Sequence, residues 1–497
     1  MCNNAVVKEN TDSLLTIAQL LDSVNGTIIG HSYNASSFLF TSVVTDSRNV
    51  TKNSLFVPLI GEFQDGHKYI PQAIEKGASV IFVARVSYES DKDGYEELCE
   101  KHPDTALVLV ENTLHALQQA AGRYVEKFPS LIRVSVTGSS GKTTTKEITA
   151  SILRQKYNVV CNKGNLNSET GLPLSCFEIR REHELALLEM GMNRENEIGE
   201  IAETFKPQYG AVTNIGTAHI GLLGSRENIA REKRHSFDFI PENGAAFVPF
   251  DDDFADFCLE NVKGEKVKFG KSVPVSESGV EFGESLGLFG TDFLVDGIKI
   301  HLSLSGEYNY QNALGVVALA KKLGIDAVSI KQGIENVCSV GGRMEILKTE
   351  LKNHKNCVLI KDCYNANLDS MLKVLDFCQN LDEKTYSKKI FVLADMKELG
   401  EESEKSHKAV GEKINSISPA FVVLIGHEMK VCYDAIKNKE NVLWFEESSP
   451  MNFEMTGEKI LEKVNGSEIV LLKGSHSMEL DKLIPYFVLL KNEGEIQ

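Results

Sequence analysis

The chain has 497 residues, of which 42% are hydrophobic and 25% are charged, a composition typical of globular proteins. This length predicts about three domains. The formal net charge of −17 argues against a nucleic-acid partner, because binding to a phosphate backbone needs a basic surface. No apolar run is long enough to cross a bilayer, so we expect no membrane insertion.

The N-terminus and the cysteines bear on the cellular compartment. The opening stretch MCNNAVVKENTDSLL lacks the basic and then apolar order of a secretory signal. Ten cysteines are scattered singly without a CxxC pair, which favours reduced thiols packed as small hydrophobes over a zinc or dithiol site. We therefore expect a cytoplasmic protein.

The first predicted unit covers residues 1–112 and mixes strands with helices. Three short β-like runs, FLFTSVVT, SVIFVARV and TALVLV, are separated by turns and helical stretches. A helical segment at 113–128 follows, with apolar residues at near-helical spacing. That segment opens the second predicted unit and connects it to the first.

The second unit, residues 113–340, alternates strands and helices. A short apolar strand at 131–136 runs through a glycine-rich turn into a helix at 142–155. Further apolar strands are predicted at 185–190, 211–215 and 245–248, with helical segments between them. Such alternation predicts a mainly parallel sheet. The pattern becomes hairpin-like at 281–304, and a helix is predicted at 308–323.

The third unit, residues 341–497, has the pattern of a Rossmann-like domain. Helical stretches separate five apolar runs, at 357–360, 390–394, 421–425, 442–445 and 469–472. The predicted fold class is therefore α/β with three domains.

The sharpest motif is VTGSSGKTTTKE, which starts at Val136 and joins the strand predicted at 131–136 to the helix predicted at 142–155. Small residues let backbone N–H groups face a phosphate at a helix N-terminus, and the lysine and the following hydroxyl suit the β- and γ-phosphates and Mg²⁺. Only two residues lie between the first glycine of this loop and the Gly-Lys pair, whereas the usual P-loop has four there. The alternative interpretation is therefore a helix N-terminus with an incidental Gly-Lys-Thr sequence. The strand–turn–helix context favours ATP binding by Gly138, Ser139, Ser140, Gly141, Lys142, Thr143 and Thr144.

This shortened loop resembles that of the Mur ligases, and further motifs extend the resemblance over nearly the whole chain in the same order. They are DSR at 46–48 with a DGH turn after it, GNLNSETGLPL at 164–174, LLEMGMNRENE at 187–197, NIGTAH at 214–219, GEYNYQNA at 306–313, GRME at 342–345, DCYNANLDSM at 362–371, LADMKELGEES at 393–403 and KGSHSME at 473–479. The resemblance implies a uridine-nucleotide domain, a central ATP-binding domain and a C-terminal Rossmann-like ligase domain.

The resemblance also implies substrate contacts in the first two units. Ser47 and Arg48 would bind the uridine nucleotide, with Arg48 adding charge-assisted hydrogen bonds. Asn165, Asn167 and Ser168 would contact the muramoyl peptide, although Ser168 replaces the second of two paired asparagines in the family. Taken alone, these segments could be an ordinary surface turn and loop.

Three residues of the second unit are implied to act with metal ions. Glu189 ends a predicted strand, where open α/β sheets bind ligands, and its carboxylate suits Mg²⁺. His219 would help hold a second ion. Lys233 aligns with a lysine that is carbamylated in several Mur ligases, but this chain reads Lys-Arg-His where the family usually reads Lys-Gly-Glu. The alternatives are a solvated strand end, a satisfied polar histidine and a solvated helical lysine.

The remaining implied contacts belong to the nucleotide and the second substrate. Asn309 and Asn312 lie one helical turn apart and could present amides to adenine, or cap the helix instead. Arg343 would approach the phosphates and Asp362 the ribose. The YNAN segment is typical of one branch of the family, and it contributes Tyr364, Asn365 and Asn367; Leu368 replaces the family's proline after it.

The resemblance implies an ATP-dependent ligase that adds D-alanyl-D-alanine to UDP-N-acetylmuramoyl-tripeptide through an acyl phosphate, with two Mg²⁺ ions and as a monomer. A folylpolyglutamate- or cyanophycin-type ligase is an alternative, which the first unit and YNAN disfavour. A second alternative is an inactive nucleotide-binding paralogue, supported only by the departures at Ser168, Leu368 and after Lys233. A P-loop ATPase coupled to motion leaves the asparagine motifs unexplained. The third-position diamino acid stays open.

Overall fold

The computed structural model describes residues 13–30, 38–337, 341–382, 385–386 and 388–489. The first unit contains α1 (Ile17–Val24), β1 (Thr27–Ile28), β2 (Ser42–Val44), β3 (Ser54–Phe56), α2 (Ile70–Glu75), β4 (Ala78–Ala84), α3 (Arg85–Ser90), α4 (Lys92–Lys101) and β5 (Ala106–Val110), and α5 (Thr113–Val125) connects it to the second unit. Its sheet has the order β1-β5-β4-β3-β2. Only β1 is antiparallel to its neighbour.

After α5, the second unit continues with the strand that carries the glycine-rich turn. Its elements are β6 (Ile132–Thr137), α6 (Lys142–Leu153), β7 (Val159–Cys161), α7 (Gly171–Cys176), β8 (Leu185–Glu189), α8 (Glu197–Phe205), β9 (Tyr209–Val212), α9 (Ile220–Leu223), α10 (Arg226–Arg234), β10 (Ala245–Pro249), α11 (Ala255–Leu259), β11 (Glu265–Phe269), α12 (Val275–Ser278), β12 (Val280–Ser285), β13 (Thr291–Val295), β14 (Ile298–Leu302), α13 (Glu307–Lys322) and α14 (Ala327–Glu335).

Two sheets organise this unit. The larger sheet is wholly parallel, with the order β11-β10-β9-β6-β8-β7. Strand β8 is almost continuously apolar and wholly buried, because helices cover both faces of the sheet. Strand β6 alternates apolar with polar side chains and is buried from Val134 onward. The smaller sheet, β12-β13-β14, is antiparallel, as the hairpin-like pattern predicted. Since β6 lies inside the larger sheet, the loop after it is held between the ends of β8 and β9.

The third unit is a six-stranded sheet with the order β15-β16-β20-β17-β18-β19, parallel except for β15. Its elements are β15 (Glu345–Glu350), β16 (Asn356–Asp362), α15 (Leu368–Gln379), β17 (Lys388–Ala394), α16 (Ser403–Ile417), β18 (Phe421–Ile425), α17 (Met429–Ala435), β19 (Val442–Phe445), α18 (Pro450–Lys463), β20 (Glu468–Lys473) and α19 (Ile484–Phe487).

The predicted α/β fold class is confirmed. All five strands predicted in the third unit are present, but the edge strand β15 was not predicted. In the second unit, the strand expected at 211–215 starts two residues earlier and ends at Val212. The bend after Val212 frees the NIGTAH segment from the sheet and lets it face the third unit.

The joins between the units differ in character. Helix α5, at the predicted boundary after residue 112, belongs to one apolar core that includes residues of both the first and second units. The predicted boundary between residues 340 and 341 adjoins 338–340, which lie outside the described residues. No helix within the described ranges has the length and apolar content needed to cross a membrane.

Candidate active site

One cleft of about 1060 Å³ lies between the second and third units. It is at the carboxyl ends of the parallel strands, which is where open α/β sheets bind ligands. Most of the residues predicted from sequence line it: Ser139, Ser140, Gly141, Lys142, Thr143, Thr144, Asn165, Asn167, Glu189, His219, Asn309, Asn312, Arg343, Asp362, Tyr364, Asn365 and Asn367. Ser47, Arg48, Gly138, Ser168 and Lys233 are not among the lining residues.

The glycine-rich turn connects the end of β6 to the start of α6 at Lys142. A Cβ on Gly138, where φ is +148°, would overlap the Thr213 side chain, and one on Gly141, at φ +77°, would lie 2.7 Å from Asn312 Nδ2. Only glycine fits at either place. The first turn of α6 has no side-chain cap, so its N–H groups stay available to an anion.

Lys142 folds back over the loop, where its Nζ donates to Gly138 O at 2.9 Å. Desolvation lowers the pKa of Lys142, and the charge of Arg343 lowers it further, whereas Glu189 opposes both. A desolvated cation next to a second cation is stabilised by an anionic ligand. A nucleotide phosphate in the cleft would supply that anion.

Glu189 ends β8 and is only 2% exposed. Its Oε2 accepts a hydrogen bond from Thr143 Oγ1 at 2.7 Å, and its Oε1 accepts one from Asn167 Nδ2 at 2.7 Å. Both of these partners are neutral, so neither compensates the carboxylate charge. The glutamate therefore joins the phosphate loop to the asparagine-rich loop at 164–168.

Mg²⁺ fits these donors. A buried carboxylate next to a hydroxyl offers the hard oxygen ligands that this ion prefers, and phosphates and waters usually complete its coordination. Among the described residues, no group of three or more His, Cys, Asp or Glu side chains could hold a metal by itself. The donor set thus suits an ion that arrives with a nucleotide better than a fully protein-coordinated one.

His219 lies at the contact between the two units. Its Nδ1 is 2.8 Å from Glu398 Oε2 of the third unit, and this imidazole lowers the pKa of Glu398. The neighbouring backbones also meet, because Gly221 N donates to Glu398 O at 3.1 Å. A Cβ on Gly221 would overlap the backbone of Leu399 and Gly400. The second and third units are therefore in close contact on this side of the cleft.

A second contact between the units involves Asp369, in the first turn of α15. Its Oδ2 accepts hydrogen bonds from Thr217 N at 2.6 Å and from Thr217 Oγ1 at 3.0 Å. The adjacent Gly216 N donates to Ser139 Oγ in the phosphate loop at 2.9 Å. The NIGTAH segment thus connects the phosphate loop directly to α15 of the third unit.

Lys233, on α10, is fully buried, and its Nζ lies 3.9 Å from Met192 Sδ. Burial lowers the pKa of Lys233 well below its ordinary value, and the charge of Lys142 lowers it further. The adjacent Glu232 accepts hydrogen bonds from Asn196 N at 2.7 Å and Ile198 N at 2.8 Å. The solvated helical lysine considered from sequence is wrong, because this amine is inaccessible to bulk water.

The two asparagines of α13 have different environments. Asn309 is buried and its Nδ2 donates to Ser305 O at 2.8 Å, so part of its hydrogen-bonding capacity serves the helix start. The Asn312 amide lies against Gly141. Both line the cleft, which places amide groups beside the phosphate loop.

Three planar groups from the third unit stack along one wall. The Arg343 guanidinium lies 4.0 Å from the Tyr364 ring centroid, and Tyr364 stacks on His476 with centroids 5.7 Å apart. Tyr364 is 36% exposed, so one edge of this stack is open to a ligand. The stacking contact uses the flat face of the Arg343 guanidinium and holds this group near the cleft. The N–H donors at the edge of the guanidinium therefore remain available to anions.

A largely buried ion pair supports the YNAN segment. Lys473 Nζ lies 2.6 Å from Asp362 Oδ2 and donates to Asn365 O at 3.2 Å. The Asn365 side chain accepts from Ala366 N at 2.8 Å. Asn367 caps α15, since its Oδ1 accepts from Ser370 N at 2.9 Å. Asn367 therefore has a structural role whether or not it also contacts substrate.

The first-unit candidates lie apart from the cleft lining. Ser47 Oγ donates to Gln72 Oε1 at 2.6 Å. Arg48 is exposed and pairs with Asp46 at 2.7 Å, and its hydrogen bonds lower the pKa of Asp46 to about 2. In the loop at 164–168, Ser168 Oγ accepts a hydrogen bond from Gly171 N, the first residue of α7, at 3.2 Å, and Ser168 is not among the residues that line the cleft.

Sequence reasoning missed several residues that the structure brings to the site. Glu398 and Lys473 stand inside quoted motifs, and their charge was the available signal. The Asn214 side chain accepts a hydrogen bond from Ser140 N at 2.9 Å. The Asn162 side chain forms hydrogen bonds with both the backbone N–H and the backbone C=O of Glu189. The signal for Asn214 was its place in the NIGTAH motif, whereas nothing in the local sequence singles out Asn162.

Comparison with known proteins gives consistent matches over the whole chain. Sequence profiles match at residues 39–125 ("Mur ligase family, catalytic domain"), 136–320 ("Mur ligase middle domain") and 342–476 ("Mur ligase, glutamate ligase domain"). A UDP-N-acetylmuramoyl-tripeptide–D-alanyl-D-alanine ligase from Treponema pallidum is 35% identical over 97% of this chain and 100% of its own length.

Solved structures agree with these matches. The crystal structure of MurF from Acinetobacter baumannii has a TM-score of 0.82 and 28% identity, covering 95% of this chain and 98% of its own. MurF ligase from Thermotoga maritima, solved in complex with ADP, has a TM-score of 0.73 and 26% identity, covering 90% and 96%. The three-domain architecture expected from the sequence is the fold of these structures.

Proposed function

We propose, from the premise that this chain belongs to the Mur ligase family, that it is the ATP-dependent ligase that adds D-alanyl-D-alanine to UDP-N-acetylmuramoyl-tripeptide. This reaction serves the synthesis of peptidoglycan precursors for the cell wall. The observation that carries the proposal is that one cleft contains the phosphate loop, the buried Glu189 and the YNAN segment together.

Amide formation from a free carboxylate requires activation, because oxide is a prohibitive leaving group. In the first step, an oxygen of the tripeptide's terminal carboxylate attacks the γ-phosphorus of ATP, and ADP leaves. In the second step, the free amine of D-alanyl-D-alanine attacks the acyl carbon, inorganic phosphate leaves and the amide forms. The protein forms no covalent bond in either step, so positioning and electrostatics supply the rate enhancement.

The residues of the phosphate loop would stabilise charge on the transferred phosphoryl group. The open N–H groups at the start of α6 and the Lys142 ammonium face the same space, and Arg343 approaches from the third unit. Mg²⁺, when bound through Thr143 and Glu189, would neutralise phosphate charge and orient the oxygens for transfer. His219 is the candidate for a second ion on the substrate side.

The third unit would bring the amine substrate to the acyl phosphate. Tyr364 and Asn365 lie on the cleft wall, and the contacts Asp369–Thr217 and Glu398–His219 hold that wall against the second unit. A closed cleft excludes water, which would otherwise hydrolyse the acyl phosphate. We infer that opening at these contacts admits substrates and releases products.

The remaining assignments extend the same proposal. Ser47 and Arg48 would bind the uridine nucleotide, and Asn165 and Asn167 the peptide stem. Carbamylation of Lys233 would convert its buried amine into an anion beside the metal-binding residues. We place the enzyme in the cytoplasm, because its proposed substrates are a nucleotide-linked precursor and ATP, and we propose that it acts as a monomer.

The decisive experiment is phosphate release from ATP with UDP-N-acetylmuramoyl-tripeptide, measured with and without D-alanyl-D-alanine. Sustained release that requires both substrates is the expected result. Release with a folate and glutamate in their place would identify the folylpolyglutamate-type alternative. Tight ADP binding without release under any of these conditions would identify a nucleotide-binding paralogue.

A further inference from the structure

Asn162 takes no direct part in the site described above, yet its side chain makes three hydrogen bonds inside it. The residue follows β7 and is 3% exposed. Its Oδ1 accepts from Glu189 N at 3.0 Å, and its Nδ2 donates to Glu189 O at 3.0 Å. Strand β7 pairs with β8 only as far as Cys161 and Leu187. The Asn162 amide therefore continues the ladder for the backbone of Glu189 after the neighbouring strand has ended.

The same amide also holds the asparagine-rich loop. Asn162 Nδ2 donates to Leu166 O at 2.9 Å, in the loop that carries Asn165 and Asn167. From that loop, Asn167 Nδ2 donates to Glu189 Oε1 at 2.7 Å, and Asn167 O accepts from Gly191 N at 2.8 Å. The loop and the carboxylate are thus connected twice, once through the Glu189 backbone and once through its side chain.

Helix α6 holds Asn162 from the other side. Lys146 is 2% exposed, and its Nζ donates to Asn162 O at 3.0 Å. Thr143, on the same helix, donates to Glu189 Oε2 at 2.7 Å. Every group that fixes the Glu189 carboxylate is therefore connected to α6, to the loop at 164–168 or to both.

We propose that Asn162 is a positioning residue that couples the order of the loop at 164–168 to the orientation of the Glu189 carboxylate. The identity of the ligands at the two ends, a magnesium nucleotide and a muramoyl peptide, rests on the proposed function; the coupling itself rests on the hydrogen bonds. Outer groups that orient a metal ligand typically contribute tenfold to hundredfold to metal affinity, about the effect expected here.

The test is Asn162→Asp, which keeps the shape but replaces the Nδ2 donor by an oxygen facing Glu189 O and Leu166 O. ADP binding is measured by calorimetry with and without Mg²⁺. We expect affinity for metal-free ADP within about twofold of the wild type, and a loss of about tenfold in the enhancement by Mg²⁺. The matched control is Asn158→Asp, at the other end of the same strand, whose Nδ2 also donates to a carbonyl, Glu182 O, at 2.9 Å. It should leave both affinities unchanged.

Asn162→Ser provides a second variant in case the aspartate prevents folding. Serine is too short to span the Glu189 backbone, so the same loss of Mg²⁺ enhancement is expected. An unchanged enhancement in a folded Asn162 variant, or an equal loss in Asn158→Asp, would overturn the coupling. Calorimetry needs no turnover, so wild-type protein that binds MgADP but joins no substrates would refute the proposed function while leaving this test intact.

Discussion

The cleft and the exposed DSR turn of the first unit hold their charged groups in opposite ways. In the cleft, Lys142 is half-buried, Glu189 and Lys233 are almost fully buried, and the hydrogen-bonding partners of all three are neutral. In the DSR turn, Arg48 lies on the surface and is already paired with Asp46 of its own turn. The cleft is organised before any ligand binds, whereas a ligand at the turn must compete with an existing ion pair.

This difference determines what each region can contribute. Fixed, desolvated charges can stabilise a transition state, since no reorganisation is needed at the moment of reaction. An exposed ion pair is screened by solvent and contributes little until a ligand displaces it. Substitutions in the cleft should therefore lower kcat, and substitutions at the turn should raise a KM.

The largest effect is expected for Lys142→Ala, which removes the cation from the phosphate loop. We expect turnover to fall by at least about a thousandfold, because charge on the transferred phosphoryl group loses its closest protein cation. The melting temperature should stay near that of the wild type, since the lost hydrogen bond is one to Gly138 O. Normal phosphate release by a folded Lys142→Ala protein would show that the phosphate loop has been misassigned.

Lys233 sharpens the contrast between buried and exposed cations. Its lowered pKa means that a neutral amine exists at pH values where an exposed lysine is protonated, and only the neutral amine reacts with CO₂. With ¹³C-bicarbonate, we expect a carbamate carbon signal in the wild type that is absent in Lys233→Arg. Activity of that variant should fall by about a hundredfold, as expected when a group that orients a metal site is lost.

Lys206 gives the control for the carbamate experiment. It is a half-exposed lysine paired with Glu126 at 3.1 Å, so Lys206→Arg should retain both the carbon signal and the activity. A signal that survives in Lys233→Arg would place the carbamate elsewhere.

Gly221→Ala tests whether the cleft must close. A methyl group there would overlap Leu399 and Gly400, so the second and third units could not approach as closely. We expect kcat to fall by about thirtyfold, an effect of the size expected when reacting groups are misplaced by less than about 1 Å. Small-angle scattering with nucleotide and UDP-substrate should show a larger particle than the wild type.

Gly122→Ala is the matched control for that methyl group, since its Cβ would meet Thr204 O at an ordinary 3.4 Å. It should change neither kcat nor the scattering profile. Wild-type kinetics for Gly221→Ala would mean that the contact between Gly221 and Gly400 has no part in turnover.

At the surface turn, Arg48→Ala should raise the KM for the UDP-substrate by about tenfold without lowering kcat, the loss expected for one charge-assisted contact. Arg85→Ala is the control, because Arg85 forms a similar exposed pair with Glu111 at 2.7 Å in the same unit. The difference between the KM values of the Arg48→Ala and Arg85→Ala variants should be smaller at high salt, because salt screens the charge of Arg48. Equal KM values for both variants would remove Arg48 from the substrate site.

The sequence predicted the features that local patterns encode. The strands β16, β17, β18 and β20 are largely buried, apolar runs, and the edge strand β19 is half-buried but wholly apolar. The phosphate loop needs a fixed order of glycines before a helix. Strand β15 was missed because its residues are mostly half-exposed and mix charged with apolar side chains without a regular period. An edge strand with mixed side chains gives a weaker sequence pattern than a strand that is continuously apolar.

Contacts between units were beyond the reach of pattern reasoning. His219 and Glu398 meet only because the second unit packs against the third. The burial of Lys233 depends on packing of α10 that no local spacing reveals. Asn162 stands outside every quoted motif, and its role follows only from the atoms around it. Residue types thus indicated the chemistry, whereas the positioning of those residues required coordinates.

The smallest effect is expected for Leu368→Pro, which introduces the family's proline. Leu368 is the first residue of α15, after the cap Asn367 at φ −137° and ψ 170°. Proline is favoured at this first helical position, and an extended residue before it is compatible with the ring. Proline restricts the unfolded chain and would thereby stabilise the folded protein by about 0.4–1 kcal/mol. The loss of packing by the partly buried Leu368 side chain offsets this gain.

We therefore expect activity within about twofold of the wild type, and a melting temperature that moves by only a few degrees. Lys373→Pro, at an exposed site inside the same helix, is the contrast, because an interior proline costs about 3 kcal/mol or more. If Leu368→Pro destabilised the protein as much as Lys373→Pro, the helix would have to begin before residue 368. Asn367 would then be unable to cap it, and its amide would be free for the substrate.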